Sequence, residues 1–354
     1  MNLSKEQIKN LPVFFIIGRP RSGSTLLRTL LDAHSEIIIP LECSFIVQLK
    51  KKYYHRNYWE EKDLRGFQLD LEKTRFFSLN NFDQQKLQQN LLKLKGPCSY
   101  QGVCKTVISS FESPFPKENI SILGDKNPSY SLLFDKLFPI FSEAKFIHLV
   151  RDYRDNYESI INAQFENPLI AFIVKSWKES NKSIEKFKTK FPKQFYTTRY
   201  EDLVEYPEIH LKKICCFLEI PYSDQMLKFH EHQEDFKKVF SENIFSTNRN
   251  LFKPITSDNI GKWKNKLTKK EVIIADHIAG KYAEKYGYKR EYKGSIIPYY
   301  FSAWSGCFLY WFLKLYIYTG LCLPFKMQLK ISKNIHHFNG HFLYKLKKKN
   351  IDVK

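Results

Sequence analysis

The stretch Gly18–Thr25, GRPRSGST, has the residue types needed to hold an oxyanion: two glycines for turns, two arginines for charge and three hydroxyls. Its spacing follows the phosphate loop G-x-x-x-x-G-K-[ST], but Ser24 stands in the lysine's place and the positive charge sits earlier, at Arg19 and Arg21. The backbone N–H groups of Ser22–Thr25 would open a helix, where unpaired donors and the helix dipole attract an anion. Arg21 adds a full charge, and Ser24 and Thr25 add hydroxyl donors. That is enough for one terminal phosphate. A triphosphate with Mg²⁺ would also need the missing lysine and an acidic metal ligand. Asp125, at the end of ISILGD, is the residue that keeps a P-loop kinase in view. The bland alternative is a tight strand–helix turn that binds nothing.

The elements around this loop must present it. Val13–Ile17 is a β-rich run that stops at Gly18, and Leu26, Leu27, Leu30 and Leu31 follow at helical spacing. ISILGDKNP (Ile120–Pro128) reads as a second strand ending in polar residues, Asp125 and Lys126 among them. Lys145–Val150 reads as a third; Arg151 and a helix turned inward on Tyr157, Ile160 and Ile161 come next. KQFYTTRY reads as a fourth, with a loop and a helix on Leu211, Ile214, Cys215 and Leu218 after it, and Pro207 suits that helix's start. Lys50–Lys95 reads as helical cover or a substrate-side insertion. Strands alternating with helices predict an α/β chain, a P-loop-like three-layer sandwich with a mainly parallel central sheet. Ligands in such a sheet gather at the carboxyl ends of the strands.

The formal charge of +20 favours anionic partners such as nucleotides, sulfated or phosphorylated molecules and anionic lipid, or else a solvated surface. No nucleic-acid module is recognisable. Seven cysteines without a C-x-x-C signal neither a zinc site nor a disulfide framework, so a reduced, cytoplasmic setting is expected. Composition shifts after Tyr292. Ile296–Phe325 is dense in aromatics with Lys314 as its only charge, and Lys326–Lys354 carries eight lysines against one aspartate. We divide the chain at this shift, into 1–294 and a helical, aromatic-rich extension, 295–354. Three fates are open to 296–325: packing on the domain, lying in a membrane interface, or spanning the bilayer.

RPRSGSTLLRTLLDAH resembles the 5′-phosphosulfate loop of sulfotransferases that use 3′-phosphoadenosine 5′-phosphosulfate (PAPS). FIHLVRDYRDNYESII resembles their 3′-phosphate block, and YEDLVEYPEIHLKKICCFLEI the strand–helix unit that follows. The match runs from about Val13 to Tyr288, and the loop region is most similar to tyrosylprotein-type and related bacterial and Golgi enzymes. The resemblance implies that Arg21, Ser22, Gly23, Ser24 and Thr25 hold the phosphosulfate and that Arg151 and Ser159 hold the 3′-phosphate. It puts Tyr200 near the nucleotide and makes Lys253 and Lys262 contacts of a late closing loop. It implies catalytic roles for Arg21, for Lys126 as transition-state donor and for Glu42 as the base, with no metal. His55 is the reserve base; His34 and His148 read as helix-end and strand residues.

The departures bear on the acceptor. Ala163 stands where a further basic residue often helps hold the 3′-phosphate. Gly261 stands where tyrosylprotein enzymes place a serine, and the cysteines do not follow the secreted enzymes' pattern. The expected reaction is sulfuryl transfer from PAPS to a hydroxyl of a saccharide, a lipid or sterol, or a phenol, with peripheral membrane contact in view. The competing readings are a kinase using Asp125 and a non-catalytic basic protein that binds membranes.

Overall fold

The computed structural model describes residues 4–42, 44–74, 77–80, 82–164, 166–232, 234–236 and 253–328. Its centre is a five-stranded sheet in which every pairing is parallel. In chain order the strands are β1 (Val13–Gly18), β2 (Ile37–Ile38), β3 (Ile122–Lys126), β4 (Lys145–Val150) and β5 (Phe195–Arg199). Across the sheet the order is β2-β3-β1-β4-β5. The central strand β1, VFFIIG, is buried along its whole length. Such an unbroken apolar run belongs in a parallel sheet covered on both faces by helices, giving the three layers expected. Burial of Phe14–Ile17 contributes about 1.5–3 kcal/mol per side chain.

The helices that matter to the site are α1 (Ser24–Asp32), α2 (Tyr153–Asn162), α3 (Ile170–Lys190), α4 (Pro207–Leu218), α5 (Lys269–Glu284) and α6 (Tyr300–Leu321). Pro207 is the first residue of α4, where its missing N–H costs nothing. Thr268 and Glu271 close a capping box at the start of α5. Several short helices between Phe45 and Ser109 cover one side of the sheet. The two-residue ribbon Tyr58–Trp59 with Gly96–Pro97 inside that region left no periodic signal. The long helix α3 was not anticipated either. It is the pillar of a second apolar cluster with α2, α5 and α6, centred on the fully buried Trp177. Among the described residues, no helix is long and apolar enough to cross a membrane.

Candidate active site

Strand order decides where a ligand can sit. After β1 the chain moves to β2 and β3 on one side, whereas β4 lies on the other side of β1. The loops leaving β1 and β4 therefore diverge and leave a crevice between them. Register brings Gly18 opposite Leu149, so the segments beginning at Arg19 and Val150 emerge side by side.

Between β1 and α1 the backbone is folded back on itself. Arg21 has φ +66° and Gly23 φ +92°, and Ser22 donates its N–H to the Arg19 carbonyl (3.3 Å). The Ser22 amide is thus engaged in a turn, and the amides by position free of a helical acceptor begin after it, in the first turn of α1. A Cβ on Gly23 would stand 2.4 Å from the Tyr200 ring, so the close approach of loop and ring requires glycine there. The two loop arginines part company. Arg19 is buried and donates to both carboxylate oxygens of Glu166, one of them at 2.9 Å. Arg21 instead reaches toward α2, its Nε donating to Ser159 Oγ at 3.3 Å.

Arg151 completes the cluster. Its Nη1 donates to the Arg21 carbonyl (3.0 Å), its Nη2 donates to the Asn259 carbonyl (2.7 Å), and its guanidinium lies 4.6 Å over the Tyr200 ring. Its buried Nε has no hydrogen-bond partner among the described residues. Burial, and then the like charge of Arg151, hold the Arg21 guanidinium below the usual arginine value. Two cations held against each other around open amides, with an orphaned donor between them, suit an anionic group. Arg21, Ser22, Gly23, Ser24, Thr25, Arg151, Ser159 and Tyr200 thus meet in one place. Lys262 is exposed and donates to Asn259 Oδ1 (2.7 Å), on the segment that caps Arg151. Lys253 is exposed and makes no hydrogen bond or ion pair to the loop among the described residues.

On the strand next to β1, Lys126 ends β3 in register with Ile16 and pairs with Glu42 at 3.3 Å. Lys126 is buried, while a quarter of the Glu42 side chain remains exposed. The segment that delivers Glu42 is fixed before and after it. Asp32 Oδ1 accepts from the Ile39 N–H (3.1 Å), Arg28 Nε donates to the Ile39 carbonyl (2.9 Å), and Arg28 and Asp32 pair at 2.9 Å. On the far side, Asn127 donates to Ser44 Oγ at 2.9 Å. None of Arg28, Asp32 and Asn127 was singled out from sequence. The first two have the i, i+4 spacing of a helix pair, but nothing in the chain says that Ile39 returns to them.

Asp155 and Asn156 were also missed. Asp155 accepts from the backbone N–H groups of Gly261 (2.7 Å) and Trp263 (3.0 Å), tying the late loop to α2. Asn156 donates to the Pro20 carbonyl (2.7 Å) and holds the first loop. Lying four and three residues before Ser159, they share its helix face, a signal that was available. Gly261 has φ +71°, a conformation that a serine would adopt only with strain.

The remaining candidates are structural in their contacts. His34 Nε2 lies 2.9 Å from the Pro221 carbonyl and its Nδ1 accepts from the Glu36 N–H. Buried His148 pairs with Asn181, and burial pushes its pKa down to about 4. His55 is exposed beside the Tyr54 ring. Asp125 is buried, accepts from the Tyr130 hydroxyl (3.0 Å), and burial raises its pKa to about 7. A carboxyl so placed is poorly suited to ligate Mg²⁺. Because the folded-state value lies above the unfolded one, this group stabilises the fold below pH ~4 and the contribution is lost as pH rises through ~7. Asp125→Asn, which mimics the neutral acid, is therefore expected to lose ~2–4 kcal/mol less stability than the parent between pH 4 and 8. Thermal melts across that range check it, and parallel curves for the two proteins would show that Asp125 is ionised throughout.

With this geometry in place, likeness to known proteins can be weighed. The profile of the Sulfotransferase family matches residues 12–224. Protein-tyrosine sulfotransferase 1 of Danio rerio is 26% identical over 269 residues, covering 73% of this chain and 67% of the relative. Protein-tyrosine sulfotransferase of Drosophila melanogaster is 24% identical over 267 residues, covering 73% of this chain and 48% of the relative. The chain spans about half to two thirds of the length of these curated relatives. Among solved structures, the sulfotransferase domain from the Synechococcus PCC 7002 olefin synthase superposes with a TM-score of 0.54 at 25% identity, covering 78% of this chain and 95% of that one. The sulfotransferase domain from the Curacin biosynthetic pathway shares the fold, with a TM-score of 0.50 at 24% identity over 79% of this chain and 98% of that one.

Proposed function

The chain belongs to the sulfotransferase family, and from that premise we propose that it transfers the sulfuryl group of PAPS in line to a hydroxyl acceptor. The observation that carries this reading is the junction of two anion cradles: Arg21 of the β1–α1 loop reaches Ser159 of α2, while Arg151 holds the Arg21 carbonyl. A nucleotide with phosphates on both its 5′ and 3′ sides matches that pair of cradles, and the orphaned Arg151 Nε is a donor with no acceptor of its own.

The donor supplies an activated sulfuryl group, whose bond to the 5′-phosphate oxygen breaks as the acceptor oxygen bonds to sulfur. First-turn amides of α1, with Arg21, Ser24 and Thr25, hold the phosphosulfate, and Arg151 and Ser159 hold the 3′-phosphate. Tyr200 shapes the floor against Gly23, and Lys262 and Lys253 belong to the segment that closes over the nucleotide. Lys126 has three donors, so it can keep Glu42 and still hydrogen-bond the phosphate oxygen on which charge develops. Glu42 takes the acceptor's proton. We assign this chemistry to residues 1–294 and treat 295–354 as an extension. Saccharide, lipid or sterol, and phenol hydroxyls are the acceptor classes, and the relatives' name makes a tyrosyl phenol the first to assay.

The first experiment is a thermal melt with nucleotide. 3′-Phosphoadenosine 5′-phosphate at a hundredfold excess over its Kd is expected to stabilise the fold by ~2.7 kcal/mol, whereas Mg·ATP leaves it near the free value. The reverse preference would replace this reading with phosphoryl transfer.

A further inference from the structure

The two faces of α6 meet different surroundings. One packs on the domain: Ala303, Tyr310 and Leu313 are buried in the cluster around Trp177, and Gly306 lies so close to Ala171 that a Cβ would come within 2.5 Å of that side chain. The other face is open to solvent among the described residues. Ile297 just before the helix, then Phe301, Trp304, Phe308, Phe312 and Leu315, are each more than half exposed. Their spacing of three and four residues sets them in one stripe. The four aromatic side chains alone leave on the order of 500 Å² of apolar surface open, at ~150–250 Å² per ring-bearing side chain. Monomeric soluble proteins rarely leave so much in one patch.

The charge around the stripe says what covers it. In sequence no Asp or Glu occurs between Glu291 and Asp352, an interval that holds nine lysines, of which Lys293, Lys314 and Lys326 fall among the described residues. Lysines flank the described helix from end to end. Lys270 lies over Tyr299, Lys175 and Lys314 over Trp311, and Lys136 over Tyr318. A second copy of this face would set lysines against lysines. Rings that are apolar in body, lying between ammonium groups, match the boundary between acyl chains and anionic headgroups.

We propose that this face of α6 docks the protein on the surface of an anionic lipid bilayer, with Phe301, Phe308 and Phe312 entering the headgroup–acyl boundary and the flanking lysines on the headgroups. The C-terminal end of the helix is tied to segments that leave the Glu42–Lys126 pair: the Tyr318 hydroxyl donates to Asp135 (2.7 Å), and Lys51 donates to the Cys322 carbonyl. Docking there brings the acceptor side of the site toward the membrane, a consequence that rests on the sulfotransferase reading; the docking itself does not.

The test is vesicle flotation of the full chain, using phosphatidylcholine vesicles with and without phosphatidylserine. The parent protein is expected to float with the anionic vesicles on the order of tenfold or more better than with the neutral ones, and high salt should reduce the difference. The triple substitution Phe301→Ser, Phe308→Ser, Phe312→Ser should abolish flotation, yet leave the melt and its shift by 3′-phosphoadenosine 5′-phosphate unchanged. Should the triple variant fold poorly, Trp304 and Trp311 fluorescence in the parent gives a second measure, with a blue shift expected on adding anionic vesicles. Equal flotation of parent and variant, or no flotation and no blue shift in the parent, would overturn the proposal. So would a parent that ignores vesicles but forms a dimer or binds a protein partner that the triple substitution releases. A lost nucleotide shift in the parent strikes the catalytic reading instead and leaves docking to be judged by flotation alone.

Discussion

Glu42→Gln is expected to lower kcat by ~10²–10⁴-fold while the stabilisation conferred by 3′-phosphoadenosine 5′-phosphate stays at its parent value. The substitution preserves size, and its amide oxygen can still accept from Lys126, which stands 3.3 Å from the carboxylate. What it removes is the ability to take a proton from the attacking hydroxyl. Magnitudes keep this effect apart from a loss of fold. Lys126 is buried and a quarter of the Glu42 side chain is open to solvent; because glutamine leaves the lysine an acceptor, the stability at stake is at most that of one charge-assisted hydrogen bond, ~1.5–3 kcal/mol. A fall of ~10³-fold in rate corresponds to ~4 kcal/mol of barrier. Initial-rate kinetics at saturating donor, beside a melt with and without the bisphosphate nucleotide, measure both. Turnover within about threefold of the parent would remove Glu42 as the base and turn attention to the residues that face it.

The site's legibility was uneven, for physical reasons. Val13–Gly18 could be read as a strand because every residue is apolar, and Lys145–Val150 because its run is apolar apart from Lys145 and His148; each run ended at the chemistry it presents. The β1–α1 loop could be read because amide donors and small residues at fixed spacing are local features. That these two loops lie side by side was not local, since the order β2-β3-β1-β4-β5 is set by packing that no single segment encodes. The same limit hid the clamp on Ile39. Arg28 and Asp32 are a helical pair on inspection, but their target is seven residues beyond Asp32 and enters only when β2 folds against β3. Asp155 and Asn156 were different: they lay within the quoted block and on the Ser159 face, and helical spacing would have found them. Arg19 shows the opposite case. It looks as available as Arg21 in the sequence, but Glu166, far along the chain, occupies it.

Membership in a family does not by itself apportion work between the two arginines at the crevice, and Arg151→Ala does. Arg151 makes three attachments: to the Arg21 carbonyl, to the Asn259 carbonyl and over the Tyr200 ring. It could therefore act by holding both loops or by binding the 3′-phosphate itself. The two roles differ in selectivity. If Arg151 binds the phosphate, its removal deletes charge-assisted hydrogen bonds of ~1.5–3 kcal/mol, so 3′-phosphoadenosine 5′-phosphate should bind ~10–100-fold more weakly. Adenosine 5′-phosphate, which has nothing at the 3′ position, should lose only a few-fold. Arg21 keeps its charge whether or not Arg151 is present, so the small loss for adenosine 5′-phosphate reflects only the removal of one more distant cation. Arg151→Lys should fall between, keeping charge but losing the planar fork that reaches two carbonyls at once. Calorimetric titration of both nucleotides against all three proteins resolves the question. Equal weakening of the two nucleotides would make Arg151 a brace for the loops and return the 3′-phosphate to Ser159 and Arg21.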